Sequence, residues 1–336
     1  MKQEFGFCTI VSWSHMKYAI ALGIALQKFH PHHTLSVLLI DPPASLDAFA
    51  RFPVDVISIN EIGVRSLDEM RIYYDAFSLS NSLKPYFLHF LLKRKYEKGI
   101  YLDSDILVVG PFDELIEALE NNSFVLTPHL LKPELSNQGV VEVAQIANLG
   151  IYNGGLWGVR DDKVGFAVIE WLIENLRETD GGFAEQQLLS LAAQLFQDRF
   201  YCLRNPGYNV AYWNLHERQI KTEGHRYVVN NAPATFFHLS GFEEDKPQCF
   251  SRHRNIRCDG SPVLQEIVNQ YLSLIPNDPI LDKRTYEFDY CAGKKLTPHL
   301  RRHYFKQRTF DGYRRGRIVD GIRKATLALK DTFLNG

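Results

Sequence analysis

Short apolar runs alternate with longer amphipathic stretches through the first hundred residues. Runs rich in Val, Ile, Leu and Phe that end in polar residues or proline predict buried strands, whereas apolar residues spaced three and four apart predict helices. The predicted strands are residues 5–11, 35–40, 54–59 and 99–102, and the predicted helices are residues 18–29 and 83–96. Strands that alternate with helices in this way are typical of an α/β fold with a mostly parallel central sheet.

Composition supports a folded protein of ordinary charge. The chain has 336 residues, of which 45% are hydrophobic and 23% charged, with a formal net charge of -1. A chain with this apolar content can bury enough surface to offset the entropy of ordering. A near-zero net charge excludes a polycation that binds nucleic acid along its whole length, so no nucleic-acid partner is expected.

The last 54 residues differ from the rest of the chain in charge. Residues 283–336 contain 14 Lys and Arg against 5 Asp and Glu. We therefore predict a catalytic domain over residues 1–282 and a basic, helical C-terminal extension over residues 283–336. Apolar residues recur at helical spacing over residues 314–333, which is typical either of a helix lying on a membrane surface or of a helix packed on the domain with its charges in solvent.

Two further features bear on the compartment. No apolar run reaches the roughly 20 residues of a membrane span, and the first residues lack a signal-peptide core. The five cysteines are scattered without a Cys-x-x-Cys pair, so the sequence indicates reduced thiols rather than a disulfide framework or structural zinc site. These features predict a cytoplasmic protein, with peripheral contact at the inner membrane surface if the basic extension binds lipid.

The chemistry-bearing motif follows the strand at 99–102. Asp103 and Asp105 come directly after it, two residues apart. In extended backbone, residues at i and i+2 point to the same side, so both carboxylates can converge on one hard cation. Ligands of open α/β sheets bind outside the carboxyl ends of the strands, which is where these acids lie. The alternative interpretation is a solvated turn.

Four other segments accompany the aspartates in a fixed order along the chain. They are Leu83-Lys84-Pro85 ahead of an apolar helix, Tyr-Asn-Gly-Gly-Leu-Trp at 152–157, Glu185-Gln186, and Phe-His-Leu-Ser-Gly at 237–241. Over residues 5–255 this ordered set resembles the GT-A-fold glycosyltransferases of family 8, the group that includes glycogenin and bacterial lipopolysaccharide galactosyltransferases. The resemblance implies a GT-A fold, which is a Rossmann-like α/β domain with a mostly parallel sheet flanked by helices.

The resemblance also implies an activity. Members of this group transfer a hexose from a nucleoside diphosphate sugar to the hydroxyl of a glycan or other acceptor, with retention of anomeric configuration. The expected donor is UDP-linked. Because the leaving diphosphate carries concentrated negative charge, such an enzyme needs a cation beside it. A set of two carboxylates and one imidazole suits Mn²⁺, with Mg²⁺ as the competing ion.

Site residues are carried over motif by motif. The implied metal ligands are Asp103, Asp105 and His238, and the implied catalytic residues are Glu185 and Gln186. The implied donor-binding residues are Thr9, Val11, Ser12, Lys84, Ser104, Asn153, Gly154, Gly155, Gly241, Lys246 and Arg252. Gly154 and Gly155 would let the backbone approach a sugar or phosphate closely, and Asn153 could both donate to and accept from hydroxyls.

The sequence departs from the family pattern in three places. Glu185 stands where the family has aspartate, which adds a methylene. Lys246 lies eight residues after His238 instead of six, so Arg252 is an alternative cation for the phosphates. The first strand, which holds the base in the family, lacks the usual acid there, so the residues themselves leave the base open.

Other interpretations remain at this point. A nucleotidyltransferase would also use an α/β sheet with acidic metal ligands, but it would be expected to carry a Gly-rich phosphate loop after the first strand. A catalytically degenerate nucleotide-sugar binder or scaffold is the non-enzymatic alternative. The histidines at 30, 32 and 33 are interpreted as a solvated loop because no carboxylates accompany them. Residues 128–146 and 207–218 are the expected acceptor loops, and the oligomeric state is left open.

Overall fold

A computed structural model describes residues 2–132, 143–177, 179, 181–282, 286–291 and 294–310. The strands in chain order are β1 (Gln3–Val11), β2 (Leu35–Leu39), β3 (Val54–Ser58), β4 (Tyr96–Leu102), β5 (Ile106–Val108), β6 (Phe124–Pro128), β7 (Tyr152–Arg160), β8 (Phe200–Cys202), β9 (Val210–Ala211), β10 (Ile220–Glu223), β11 (Arg226–Val229), β12 (Ala232–Pro233), β13 (Phe236–His238), β14 (Cys249–Ser251), β15 (Ile256–Arg257), β16 (Tyr290–Cys291) and β17 (Lys294–Lys295). The helices are α1 (Met16–Gln27), α2 (Leu67–Tyr73), α3 (Ala76–Arg94), α4 (Asp113–Asn121), α5 (Val143–Leu149), α6 (Lys163–Leu176), α7 (Ala184–Leu195), α8 (Pro262–Leu274) and α9 (Pro298–Phe310).

Seven strands form the central sheet within the described ranges, in the order β3-β2-β1-β4-β7-β6-β8. The pairings of β3 with β2, β2 with β1, β1 with β4 and β6 with β8 are parallel, whereas β7 runs antiparallel to both of its neighbours. This arrangement confirms the predicted α/β class and its mostly parallel sheet.

Helices cover both faces of the sheet. Alternate residues of each strand point to opposite faces, so Phe7 of β1 joins the apolar cluster of α1 and α8, while its neighbour Cys8 joins the cluster of α3 and α6. Strands β2 and β6 are buried throughout. Because strands between two helix layers are buried on both faces, they contain few polar residues. The predicted strands agree with β1 to β4 to within three residues at either end.

The helix predicted over 83–96 is longer than its apolar pattern indicates. It begins at Ala76, because the Asp75 carboxylate caps it by accepting a hydrogen bond from the Ser78 backbone N–H at 2.8 Å. The extra turns bring Asn81 over the loop before α7, where its amide donates to the Gly182 carbonyl at 3.1 Å. Periodicity of apolar residues could not locate this polar first half of α3.

A small second sheet lies beside the central one. It has the order β5-β13-β9, with β13 antiparallel to β5 and parallel to β9. The register pairs His238 with Ile106 on one side and with Ala211 on the other. A histidine more than 130 residues further along the chain is thereby held next to the Asp103-Ser104-Asp105 turn.

The described part of the basic extension packs on the domain. Helix α9 contacts α2, and Tyr286 and Phe305 belong to the same apolar cluster as α3. The domain boundary at 282 stays a prediction, and the helix predicted over 314–333 lies outside the described residues. Within the described ranges, every helix falls short of the length and apolar content that a bilayer-spanning segment needs.

One buried side chain holds this packing. The Arg301 guanidinium is 5% exposed, and its Nη1 donates to the carbonyl oxygens of Ile72 and Tyr74 at 3.1 and 2.6 Å. Its Nη2 donates to the Phe288 carbonyl at 2.8 Å. These bonds tie α9 to the end of α2, to the residue after it and to the segment before β16, and they surround the buried guanidinium with carbonyl acceptors in place of water.

We predict that Arg301→Met lowers the free energy of unfolding by about 2–4 kcal/mol, because the carbonyls around it lose their donor. Urea unfolding followed by far-UV circular dichroism measures the change. The control is His299→Ala, an exposed position of the same helix, which should stay within about 0.5 kcal/mol of the wild type. Equal unfolding midpoints for Arg301→Met and the wild type would contradict the anchoring role.

Candidate active site and metal centre

The site lies at the carboxyl edge of the central sheet. The parallel register of β1 and β4 pairs Cys8 with Tyr101, so the residues that follow both strands emerge at the same edge. The antiparallel strand β7 starts there, and the Asp103 backbone N–H donates to the Gly155 carbonyl at 2.9 Å. Three strands that are distant in the sequence therefore bring their polar ends together, as an open α/β sheet does at its ligand edge.

The two aspartates and His238 form one cluster. The Leu239 backbone N–H donates to the Asp105 carbonyl at 2.9 Å and holds β13 against the aspartate turn. As a result, His238 Nε2 lies 3.1 Å from Asp105 Oδ1 and 3.9 Å from Asp103 Oδ2. One ligand atom from each of the three residues lies within 4.8 Å of the others. Among the described residues, these three side chains form the group of potential metal ligands that lies close enough together to hold an ion.

The donor set and its spacing fit a small divalent cation. Neighbouring ligands of an octahedral ion with bonds of about 2.1 Å lie about 3 Å apart, which matches the separation of Asp105 Oδ1 and His238 Nε2. Two carboxylate oxygens with one imidazole nitrogen suit Mn²⁺ and also permit Mg²⁺. His238 is 4% exposed, whereas Asp103 and Asp105 are only partly covered. Ligand atoms on one side and open space on the other leave coordination positions for a substrate.

His238 and Asp105 each stabilise the charged form of the other. Burial alone would lower the pKa of His238, but the carboxylate of Asp105 and its hydrogen bond raise that pKa above its ordinary value. Loss of water contact favours the neutral acid at Asp105, yet the charge of His238 holds the pKa of Asp105 below its ordinary value. The carboxylate is therefore ionised, as a metal ligand must be.

Lys84 is a buried cation beside the cluster. Its side chain is 1% exposed, and Nζ lies 3.2 Å from Asp103 Oδ1 and 3.5 Å from Glu185 Oε1. Nζ also donates to the Gly154 carbonyl at 2.9 Å. Asp103 Oδ1 accepts a second hydrogen bond from the Tyr101 hydroxyl at 2.8 Å. The motif residues Lys84, Asp103, Gly154 and Glu185 are thus brought into direct contact.

Glu185 and Gln186 open helix α7 and point into the same site. Glu185 is 2% exposed, and burial raises its pKa from 4.5 to about 7 even though Lys84 opposes the shift. Its Oε2 is buried and has no hydrogen-bond partner among the residues that the structure describes. Gln186 Oε1 accepts from the Gly154 backbone N–H at 2.8 Å and from Asn153 Nδ2 at 3.2 Å. Both side chains line the start of β7, opposite the aspartate turn.

The two adjacent glycines of β7, Gly154 and Gly155, are required by neighbouring side chains. A Cβ at Gly155 would lie 2.5 Å from His238 Cε1 and 2.8 Å from Asn153 Oδ1, and a Cβ at Gly154 would lie 2.7 Å from Glu185 Oε1. Such distances are shorter than real Cβ contacts. The missing side chains thus make room for the imidazole and the carboxylate of the site itself. That the pair also lets a sugar or phosphate approach stays a prediction.

Three residues of the site were not predicted individually. The His129 ring follows β6, where Nδ1 lies 3.2 Å from the Ile151 carbonyl and Nε2 lies 3.3 Å from Asn153 Nδ2. Burial lowers the pKa of His129 to about 4, so its imidazole is neutral. Asn209 contacts His238 by a side-chain hydrogen bond, and the Trp213 ring packs edge-on to His238 at 5.1 Å between centroids. In the sequence, these three residues were indicated only by their location in 128–146 and 207–218, the segments predicted as acceptor loops.

The first strand ends at the edge of this site. Thr9 is fully buried, and within the described ranges its Oγ1 has no hydrogen-bond partner. The Val11 carbonyl accepts from the Ile40 backbone N–H at 3.0 Å. Ser12 Oγ lies 3.0 Å from Ser14 Oγ. These contacts join the end of β1 to the residue after β2 and to the turn after β1, and that the three residues bind the donor stays a prediction.

Four predicted donor-binding residues have other partners in the described part of the chain. The Ser104 carbonyl accepts from the Tyr271 hydroxyl at 3.4 Å. Gly241 has a φ of 78°, which glycine adopts without strain, and its carbonyl accepts from the Arg252 N–H. Lys246 Nζ and Arg252 Nη1 lie 2.6 and 3.4 Å from Glu243, where both side chains are exposed. The two cations predicted as alternatives therefore share one carboxylate.

The interpretation of the first histidine group as a solvated loop was wrong in part. His30 is 7% exposed, and its Nε2 accepts from the Phe112 backbone N–H at 3.2 Å. The His33 ring stacks on Phe5 at 3.9 Å between centroids. Aromatic packing under the turn, which local sequence does not reveal, explains the burial.

The fold and the edge site together define a class. An open, mostly parallel sheet with an antiparallel strand beside its Asp-x-Asp turn is the GT-A arrangement, and a comparison with solved structures confirms it. An active-site mutant of the galactosyltransferase LgtC superposes with a TM-score of 0.51 at 15% identity, covering 82% of this chain and 97% of that chain. The chain therefore has the GT-A fold.

Two further matches also have low sequence identity to this chain. The apo form of the glycosyltransferase GlyE from Streptococcus pneumoniae TIGR4 has a TM-score of 0.48 at 18% identity, covering 83% of this chain and 62% of GlyE. The chain thus spans less than two thirds of GlyE. The uncharacterized protein YfnD of Bacillus subtilis (strain 168) is 23% identical over 252 residues, which are 71% of this chain and 78% of YfnD. No protein-family model matches the chain.

We predict that Gly155→Ala weakens Mn²⁺ binding about 10- to 100-fold, because the added methyl displaces the His238 ring from the two aspartates. Titration of Mn²⁺ monitored by electron paramagnetic resonance measures the affinity. Gly158→Ala is the control in the same strand, since its methyl meets flexible leucine side chains at 3.1 Å. Equal affinities for the two variants would contradict the steric argument.

A second prediction concerns pH. Because the folded protein holds the Glu185 proton up to a pKa of about 7, whereas the unfolded chain releases it near 4.5, this group's contribution to stability is lost as pH rises through that window. Glu185→Gln removes the loss, so its stability relative to the wild type should increase by about 3 kcal/mol between pH 4.5 and 7. Urea unfolding in a chelator at several pH values measures the difference, and the exposed Glu117→Gln should parallel the wild type.

Proposed function

We propose that this chain is a metal-dependent glycosyltransferase that moves a hexose from a nucleoside diphosphate sugar, with UDP as the expected nucleotide, to an acceptor hydroxyl. The observation that carries the proposal is the cluster of Asp103, Asp105 and His238 at the ligand edge of a GT-A sheet. Its immediate neighbours are the Lys84 cation and the Glu185 carboxyl. The ordered motifs support the same activity.

The reaction breaks one bond, forms another and releases one proton. The bond between the anomeric carbon and the β-phosphate oxygen breaks, and its electron pair stays on the phosphate. A bond forms between the anomeric carbon and the acceptor oxygen, whose hydroxyl proton is released. The difficulty is the charge that develops on the departing diphosphate. A divalent ion held by Asp103, Asp105 and His238 would neutralise that charge when bound.

The remaining residues bind and orient the sugar in this proposal. Gln186 and Asn153 hold each other and the Gly154 backbone, so their amides are fixed before the substrate arrives. Glu185 lies at the reacting sugar, and Lys84 keeps its carboxyl in place. Retention of anomeric configuration, which the family resemblance implies, would require the acceptor to attack from the face that the diphosphate leaves.

The donor nucleotide is proposed to lie across the strand ends. Its base and ribose would contact Thr9, Val11 and Ser12 after β1. Its phosphates would run past Ser104 and Gly241. Lys246 and Arg252, which meet at Glu243 on the exposed side, would reach the outer phosphate oxygens.

The test is release of UDP from a panel of UDP-hexoses in the presence of Mn²⁺. The wild type should release UDP, and Asp105→Ala should lower kcat by about 10³-fold because one ligand and its charge are lost. Asp198→Ala, an exposed acid outside the cluster, should leave kcat unchanged.

Full activity of Asp105→Ala would remove the metal assignment. Metal-dependent binding of UDP in calorimetry, without release from any donor, would instead support a nucleotide-sugar binder.

A further inference from the structure

His238 has two ring nitrogens, and each faces a different partner. Nε2 faces the carboxylates of Asp105 and Asp103, whereas Nδ1 lies 3.2 Å from the side-chain oxygen of Asn209. If Nε2 offers its lone pair to a cation, the neutral ring must carry its hydrogen on Nδ1. The Asn209 oxygen is then the acceptor for Nδ1–H. With a cation on Nε2, the position of the Asn209 oxygen would therefore set both the tautomer of His238 and the orientation of the Asn209 amide.

We propose that Asn209 is a positioning residue that fixes the tautomer and the ring orientation of His238 for metal binding. The inference rests on the proposed function, because it requires that Asp103, Asp105 and His238 hold a divalent ion. Metal-binding histidines generally donate their other ring N–H to an oxygen acceptor, and that acceptor keeps the ligand nitrogen aimed at the ion. An amide oxygen performs this role here.

Packing alone does not set the ring orientation. The His238 ring lies edge-on to Trp213, with 5.1 Å between centroids, and Gly155 leaves room for it on the other side. These contacts confine the plane of the ring. A ring turned over by 180° about its Cβ–Cγ bond occupies nearly the same volume, so packing distinguishes the two orientations poorly. The Asn209 oxygen distinguishes them, because it accepts from N–H and not from a ring carbon.

The local backbone is built to deliver this amide. Asn209 has a φ of 53°, in the left-handed region that asparagine tolerates better than most residues. Asn214 holds the loop, since its Nδ2 donates to the Asn209 carbonyl at 2.9 Å and its Oδ1 accepts from the Ala211 N–H at 3.0 Å. Ala211 in turn pairs with His238 in the β9–β13 register. Asn209 is 1% exposed, so its amide has no competing solvent contact.

The experiment is a titration of the full chain with Mn²⁺, with and without UDP, in which electron paramagnetic resonance reports free Mn²⁺. Asn209→Ala should raise the Kd for Mn²⁺ about 10- to 100-fold. Asn209→Asp keeps an oxygen acceptor at the same position and should restore an affinity close to that of the wild type. Asn231→Ala is the matched control, since Asn231 is another asparagine with positive φ, 69°, but its side chain is exposed.

Asp105→Ala in the same titration separates this inference from the proposed function. If Asp105→Ala loses Mn²⁺ while Asn209→Ala binds it as tightly as the wild type, the role of Asn209 is overturned and the metal site stands. If Asp105→Ala binds Mn²⁺ normally, both proposals fail. If Asn209→Asp does not recover affinity and both Asn209 variants lower the unfolding midpoint of the metal-free protein, Asn209 is merely structural and the inference is wrong.

Discussion

A single buried ammonium group connects the parts of the site. Lys84 Nζ contacts Asp103 of the aspartate turn, Glu185 of α7 and the Gly154 carbonyl of β7. A buried cation costs several kcal/mol unless acceptors surround it, so Lys84 is stable only where these three elements meet α3. The same requirement fixes the spacing between the helices and the strand edge. The preorganisation of the site is therefore a consequence of solvating one charge with protein groups.

The charge balance of the site explains the behaviour of its acids. Asp103, Asp105 and Glu185 are three carboxyl groups that face one lysine and one histidine. Asp105 is held ionised by His238, whereas burial keeps the proton on Glu185 up to a pKa of about 7. A bound divalent cation would be the largest local charge and would stabilise the ionised carboxylates. Without a cation, the site thus has more acidic than basic side chains, and a bound divalent ion would balance the excess negative charge.

Much of the fold and part of the site could be predicted from the sequence, for physical reasons. Apolar runs identify buried strands, and parallel strands bring their carboxyl ends to one edge, so Asp103 and Asp105 could be placed from local pattern. Lys84, Asn153 and His238 were indicated only by the ordered motifs, because their contacts depend on long-range pairing. The aromatic packing of His30 and the meeting of Lys246 with Arg252 at Glu243 have no local signature, and the functional roles themselves stay predictions.

The position of His238 shows why such a site cannot be derived from one segment. Three conditions place its imidazole. Strand β5 must follow the aspartate turn, β13 must pair with β5, and β9 must bring Asn209 to the side of the ring that faces away from Asp105. Gly155 must also lack a side chain, or the ring would have no space. Each of these conditions has only a weak signal in the sequence. Together they restrict the position of the ring, so in the proposed metal site the affinity for the ion would report whether the small sheet packs correctly on the large one.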